Sequence, residues 1–424
     1  MDNKQKKYYL WILGCQMNIA DAERIRTILN SINYLETNIE KDADVIITIA
    51  CSVKQSGIDR IFGKSKNWKK RKNLITILTG CVVKEDKPKM EKIFNHLINI
   101  HEINKLPRLL NIESDKISPS RDYLEILPQY SDKIKAYVPI SNGCNNFCTY
   151  CVVPNTRGRE KSRSSENILK ECKELIKNGY KEITLLGQNV NSYGLDLKND
   201  LSFPELLQKV NDLEGSFWLR FSTSHPKDMS DELIEVIANN KNICNYIHLP
   251  VQSGNNDVLK KMNRNYTKEH YLELINKLKN KINPLFISTD IIVGFPGETK
   301  KQFKDSIKLF KKVKFDMAYI SQYSPRQGTG SFKLEDNISN KEKKKRKFKL
   351  DKILKKDALK NNKKIISKTL KILVDRHKNE YYYGKSETYR DVRFKSNKNL
   401  LGQFVKIKIL KSTTFSLEGE IKKG

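Results

Sequence analysis

Three cysteines, Cys144, Cys148 and Cys151, stand in the segment Gly143-Cys144-Asn145-Asn146-Phe147-Cys148-Thr149-Tyr150-Cys151. An iron–sulfur cube has four irons and usually takes four thiolates. Three thiolates on one short loop leave one iron without a protein ligand. An open coordination position is what separates a metal site that does chemistry from a closed structural one. A zinc site would ask for a fourth Cys or His nearby, and none lies close on either side. The C-x3-C-x2-C spacing therefore predicts a [4Fe–4S] cluster with one open iron.

Three more cysteines share a different kind of position. Tyr8 to Leu13 is an apolar run that ends at Gly14-Cys15; Asp44 to Ala50 ends at Cys51; Leu74 to Thr79 ends at Gly80-Cys81. Helical segments alternate with these runs. The first is expected over 21–33, capped by Asp21, with Ile25, Ile28, Leu29 and Ile32 on one face. A βα repeat of this kind implies a doubly wound parallel sheet. Ligands bind such sheets beyond the carboxyl ends of the strands, where Cys15, Cys51 and Cys81 all fall. These three are read as a second cluster site, again with an open iron.

The elements that must carry the first triad follow from the same alternation. Strands are expected at Tyr137–Ile140, Glu182–Leu186, Phe217–Ser222, Tyr246–Val251, Phe286–Val293 and Met317–Tyr323. Helices lie between them, as at Ser165–Lys177, and together these make a partial (β/α)6 barrel. Catalytic residues gather at the C-terminal rim of β/α barrels. At that rim stand the cysteine loop, Gly187 to Asn191, Ser222 to Pro226, His248 to Gly254, Gly294 to Glu298 and Gln322 to Arg326. Their amides, hydroxyls and glycines suit a bound nucleoside. His225 and His248 are read as structural hydrogen-bonders, and Cys172 and Cys244 as packing residues.

Residues 111–133 read as a linker in which Tyr123, Leu124, Ile126 and Leu127 pack. Lys341 to Lys364 is a basic helix with Leu350, Ile353, Leu354 and Ala358 on its packed face and its lysines solvated. From Leu370, five short alternating runs predict a small all-β barrel. There Tyr381, Tyr382, Tyr383, Tyr389 and Phe394 lie among arginines and lysines, a mixture suited to RNA.

Composition agrees. The 424 residues carry 80 Lys and Arg against 49 Asp and Glu, a formal charge of +31. Such an excess suits a polyanionic partner, although Lys, Asn and Ile dominate throughout and composition bias contributes. No run of about 18 apolar residues marks a membrane span, and the N-terminus lacks an apolar segment long enough for a signal peptide. Eight cysteines without a secretion signal point to a reducing compartment, the cytoplasm, and to metal binding over disulfides.

Several long motifs in order resemble the radical S-adenosylmethionine (SAM) methylthiotransferases, over nearly the whole chain. They are Leu13-Gly14-Cys15-Gln16-Met17-Asn18; the cysteine loop with Val152-Val153-Pro154 and Arg157-Gly158-Arg159-Glu160-Lys161-Ser162-Arg163; Leu185 to Asn191; Phe221 to Pro226; His248 to Gly254; and Val293 to Thr299. Ile49-Ala50, Lys54 to Gly57 and Asn155 depart from the family pattern; the cysteines do not. The resemblance implies domains at 5–122, 130–362 and 364–424, the last similar to the RNA-binding TRAM domain. It implies two [4Fe–4S] clusters and SAM, the latter held by Gln188, Ser222, Thr223, Gln252 and Gly294. The cluster on Cys144, Cys148 and Cys151 would cleave SAM to a radical. The one on Cys15, Cys51 and Cys81 would carry the sulfur. The target would be carbon 2 of N6-dimethylallyladenosine in a tRNA anticodon stem-loop. A flavodoxin or ferredoxin would supply electrons, and the protein would be a monomer, away from membranes. The alternatives are a methylthiotransferase for a ribosomal-protein aspartate, one for threonylcarbamoyladenosine in tRNA, and a non-catalytic iron–sulfur RNA-binding protein.

Overall fold

A computed structural model describes residues 5–51, 55–113 and 122–422. The chain divides into two compact units. The first is Met1–Asp132 with Tyr137–Glu171 and Ser324–Phe332; the second is Lys133–Ala136 with Cys172–Tyr323 and Lys333–Gly424. Among the described residues no helix is long and apolar enough to cross a membrane.

In the first unit, β1 (Lys7–Ile12), β2 (Leu35–Glu36), β3 (Val45–Cys51), β4 (Ile75–Cys81) and β5 (His96–Leu97) form one sheet in the order β2-β1-β3-β4-β5. Every pairing is parallel. Alternation along the strands splits the core over two faces. Val45, Ile47 and Ile49 pack with Ile25, Ile28 and Leu29 of helix α1 (Gln16–Ser31). Ile46 and Ala50 pack on the other face with Ile58, Ile61 and Trp68 of helix α2 (Gln55–Trp68). This is the doubly wound arrangement expected. The two-residue strands β2 and β5 are too short to leave a periodicity in the sequence.

Two expectations here are corrected. Helix α1 starts at Gln16, directly after Cys15, and Asp21 lies buried inside it; the acid is no cap because it serves a buried arginine. In the linker, of which 114–121 lies outside the described residues, Tyr123, Leu124 and Ile126 are buried but Leu127 is exposed. Leu127 is anchored by its carbonyl, which accepts the Thr27 hydroxyl at 2.7 Å, leaving its side chain in solvent. Lys54, in a segment that departs from the family pattern, also lies outside the described residues.

The barrel strands are β6 (Lys135–Pro139), β9 (Glu182–Leu186), β10 (Trp218–Ser222), β11 (Tyr246–His248), β12 (Phe286–Val293) and β13 (Met317–Gln322); a small ribbon, β7 (Ser141–Asn142) with β8 (Lys161–Ser162), follows β6 in sequence. In the second unit β10 and β9 pair in parallel, as do β11, β12 and β13. A parallel bridge between Leu219 and Ile243 joins the two sets. β11 stops at His248 rather than Val251. Pro250 has no N–H to give a ladder, and the chain continues by separate bonds from Val251 N to Thr289 Oγ1 (2.9 Å) and Gln252 N to Asp290 O (2.9 Å).

The C-terminal strands β14 (Thr369–Lys378), β15 (Tyr381–Ser386), β16 (Asp391–Lys395), β17 (Phe404–Ser412) and β18 (Ser416–Ile421) close into a barrel in the order β14-β15-β16-β18-β17. Period-2 alternation sends Tyr382 and Phe394 into its core with Ile372, Val392 and Ile407. The basic helix, Asn340–Lys363, buries Leu350, Leu354 and Ala358. Against expectation it also buries Lys343 and Arg346. Lys343 Nζ bonds both Asp336 oxygens, and Arg346 pairs with Glu298 at 2.7 Å. Buried cations are tolerated when paired in this way.

Candidate metal and cofactor sites

The cysteine loop hangs between the strands of the β7–β8 ribbon. Gly143 leaves β7 with φ +84°, and a Cβ there would lie 2.0 Å from the Arg159 carbonyl oxygen. Only glycine permits that approach. The Cys144 N–H donates to Gly158 O (3.2 Å) and the Cys151 N–H to Cys148 O (2.9 Å), which closes the turn. Phe147 takes φ +47° and is exposed, its ring 4.2 Å from the Arg159 guanidinium. Cys144, Cys148 and Cys151 are half-buried and none is in a disulfide. Burial pushes the Cys144 thiol up, and Asn146, which donates to its Sγ at 3.6 Å, pulls the other way.

The second triad is assembled by sheet register. Cys51 and Cys81 are partners in the parallel β3–β4 ladder, so their backbones run about 4.8 Å apart. Cys15 precedes α1 at the end of β1. Gly14 brings that turn against β3: a Cβ on it would sit 2.7 Å from Cys51 Cβ. Asn18 ties the strand ends together, its amide bonding Leu13 O and Ala50 O. Cys15 keeps an open face, yet the surrounding protein, and then Cys81, push its thiol up, while Arg157 lowers it. The sequence motif that contains Arg157 gives it no role. In the fold it is buried, and its Nε–H donates to Cys81 Sγ at 3.0 Å. Its Nη2 pairs with Asp21 at 2.6 Å. The partners lie 136 residues apart in sequence, and no local pattern signals that.

Among the described residues no group of three or more His, Cys, Asp or Glu is gathered to hold a single metal ion. A cube asks for no such convergence, since each thiolate takes a different iron. Thiols outside any disulfide, supplied in threes and with a cationic donor on one set, fit that group in both places.

In the second unit the five candidate SAM residues follow successive strands. Gln188 comes after β9, Ser222 and Thr223 at the end of β10, Gln252 after β11 and Gly294 after β12. Gln188, Ser222 and Thr223 are half-buried, and the two hydroxyls lie 3.3 Å apart. Gln252 is buried with φ +64°. Gly294 has φ +71° and donates its N–H to Glu298 Oε2 at 2.7 Å; a Cβ would meet the Lys343 stem at 2.4 Å. The glycine is therefore required by Lys343 packing, whatever it does for a ligand. Around these residues Asn189 Oδ1, Asn191 Oδ1, Ser224 Oγ and His225 Nε2 are buried with no hydrogen-bond partner among the described residues. Buried polar atoms find partners in protein, water or ligand, so this rim fits a hydrogen-bonding cofactor.

His225 Nδ1 accepts from Lys227 N at 3.2 Å, and burial, with Arg264 nearby, holds the ring's pKa down to about 2. It is neutral at any working pH. His248 bonds Ser288 Oγ at 2.8 Å. Cys172 and Cys244 are buried, as packing residues should be.

On the C-terminal barrel Tyr381 and Tyr383 point away from the core. The Arg393 guanidinium and the Lys395 ammonium lie 5.1 and 5.0 Å from the Tyr381 ring, and Arg376 lies 4.9 Å from that of Tyr383. Tyr389 instead stacks on Tyr246 at 4.5 Å.

Two family models match the chain: the Radical SAM superfamily over residues 138–310, and Uncharacterized protein family UPF0004 over residues 7–100. The tRNA-2-methylthio-N(6)-dimethylallyladenosine synthase of Thermoanaerobacter pseudethanolicus is 41% identical over 443 residues, covering 99% of this chain and 94% of the relative. That of Clostridium botulinum is 42% identical over 438 residues, covering 98% and 96%. Among solved structures, the radical SAM methyltransferase TsrM of Kitasatospora setae superposes with TM-score 0.56 at 11% identity, over 75% of this chain and 72% of that one. The radical enzyme OxsB gives 0.54 at 12% identity, over 82% and 56%. These two likenesses carry the fold alone.

Proposed function

Because the chain belongs to the family of tRNA-2-methylthio-N(6)-dimethylallyladenosine synthases, we propose that it is a radical SAM methylthiotransferase that places a methylthio group on carbon 2 of N6-dimethylallyladenosine beside a tRNA anticodon. The observation that carries this reading is identity of 41% across 99% of the chain.

Cys144, Cys148 and Cys151 hold a [4Fe–4S] cluster, and the backbone turn at Gly143 fixes their loop. Gln188, Ser222, Thr223, Gln252 and Gly294 orient SAM through hydroxyl, amide and backbone groups. Cys15, Cys51 and Cys81 hold a second [4Fe–4S] cluster, with Arg157 on the third sulfur. When bound, these groups supply a carbon radical and a transferable sulfur; the chain's own task is to position them and exclude side reactions. The outward aromatics and cations of the C-terminal barrel suit the anticodon stem-loop, where unpaired bases are free to stack. A small electron carrier such as flavodoxin or ferredoxin reduces the enzyme, which works as a monomer in the cytoplasm.

Nucleoside mass spectrometry of tRNA from cells lacking and regaining the gene tests the activity. The 2-methylthio nucleoside should vanish and return, while the unmodified prenylated adenosine accumulates. Unchanged tRNA, or a methylthiolated protein in its place, rejects the reading. Tyr381→Ala with Arg393→Ala and Lys395→Ala tests the RNA surface. Loss of a stacked base should cost about 1–3 kcal/mol of tRNA binding. Each lost phosphate contact should reduce the slope of log affinity against log salt by about 0.7–0.9. Unchanged affinity and slope would move the RNA off this face.

A further inference from the structure

Arg157 closes the short helix Val153–Arg157, which begins just beyond Cys151. Its side chain nevertheless serves the other triad. All three guanidinium nitrogens are engaged. Nε donates to Cys81 Sγ (3.0 Å), Nη1 to Asn142 Oδ1 (2.9 Å), and Nη2 to Asn18 Oδ1 (3.0 Å) and Asp21 Oδ2 (2.6 Å). The backbone is held as well: the Arg157 carbonyl oxygen lies 3.0 Å from His101 Nε2. Through Asn18 the grip extends to the carbonyls of Leu13 and Ala50. Leu13 lies two residues before Cys15, and Ala50 directly before Cys51. One guanidinium thus touches one thiol and, through one amide, the turns that carry the other two.

A buried ion pair with Asp21 would account for the charge. It does not account for Nε, which points at sulfur rather than at the carboxylate. Hydrogen bonds to cluster sulfurs and local charge are two of the levers that set an iron–sulfur potential, and partners of ligands orient them. One-electron reduction adds a negative charge to the cluster, and a cationic N–H donor on a ligand sulfur favours that state.

Resting on the two-cluster reading above, we propose that Arg157 is a positioning residue for the second cluster. Its N–H···S bond to Cys81 orients that ligand and raises the cluster's reduction potential.

The test uses full-length protein carrying Cys144→Ala, Cys148→Ala and Cys151→Ala, so that only the second cluster titrates. After anaerobic reconstitution, iron is counted and the midpoint potential is read by EPR against a graded reductant. Arg157→Lys keeps the charge and loses the directed Nε–H. Arg157→Met with Asp21→Asn removes both buried charges, so that no unpaired acid remains to unfold the site. Iron should stay at about four per chain, one cube. The potential should move negative in both variants, further in the Met/Asn protein than in the Lys protein. Folded variants that fail to load iron where the parent loads it also support the positioning role. Loaded variants with the parent's potential overturn the proposal. So does an equal shift of the loop cluster, measured with Arg157→Lys in a Cys15→Ala, Cys51→Ala, Cys81→Ala background. A parent that binds no iron rejects the two-cluster reading itself, a result distinct from loaded variants with an unmoved potential.

Discussion

The two cysteine triads are built in opposite ways. Cys144, Cys148 and Cys151 come from one turn whose shape is set by a few backbone bonds and one glycine. Cys15, Cys51 and Cys81 stand at the ends of three strands and share one sheet edge only because the sheet order is β1-β3-β4. The first is a property of a loop; the second is a property of a fold. A site made locally fails by local damage, and a site made by topology fails whenever the sheet does.

The sharpest break of this comparison is chemical. Replacing Cys144, Cys148 and Cys151 with Ala should halve an iron content of about eight per chain, the sum for two cubes, and abolish SAM cleavage. Replacing Cys15, Cys51 and Cys81 should halve the iron as well, yet leave SAM cleavage to 5′-deoxyadenosine while methylthio product disappears. If that second variant, still folded and carrying its other cluster, no longer cleaves SAM, the two triads do not divide the work.

The glycines give a smaller and more local effect. Gly143→Ala drives a Cβ to 2.0 Å from a carbonyl oxygen at φ +84°, and should cost about 2–4 kcal/mol with loss of iron from the loop alone. Gly14→Ala drives a Cβ to 2.7 Å from Cys51, and should empty the other triad. Iron counted in each single variant, with SAM cleavage as the second readout, checks this; a crossed result would show that the triads are not independent.

The smallest effect is on the sheet that carries the second triad. Glu23 in α1 is buried, receives two 3.3 Å bonds from Ser131, and has its pKa pushed by burial from 4.5 up to about 7. The native state therefore prefers the protonated acid. The stability this confers is complete below pH 4.5. It falls by about 1.4 kcal/mol for each pH unit above that, and is lost once pH has risen through about 7. Glu23→Gln should be nearly neutral at pH 5 and stabilising by roughly 2 kcal/mol at pH 8, read from denaturant midpoints at the two pH values. An equal effect at both would mean that the carboxyl is not held protonated.

What could be read from the chain follows the same divide. The C-x3-C-x2-C loop declares itself in nine residues, and the strand-end cysteines are legible because each follows an apolar run. Barrel strands such as Glu182–Leu186 and Phe286–Val293, and the helix Ser165–Lys177, stand where periodicity put them. What escaped was long-range electrostatics. Asp21 looked like a cap because an acid before an apolar stripe usually is one; here it pairs with Arg157 inside the protein. Lys343 and Arg346 read as solvated because their helix is rich in lysine; Asp336, just ahead of that helix, and Glu298, 48 residues before Arg346, draw them in. Periodicity reports which face is apolar, and it is silent about which charge has a buried partner.

The pairing of Cys51 with Cys81 has a consequence for biogenesis. Their thiols face the same way only while β3 and β4 hold this register; a slip of one residue turns one thiol to the opposite face. The loop cysteines could seize metal from a half-made chain, but the sheet cysteines form a receptor only once three strands and their crossovers are in place. On the two-cluster reading proposed above, maturation would be ordered: the N-terminal sheet would fold before its triad took metal, and iron delivered early would find one cradle ready and the other not yet made.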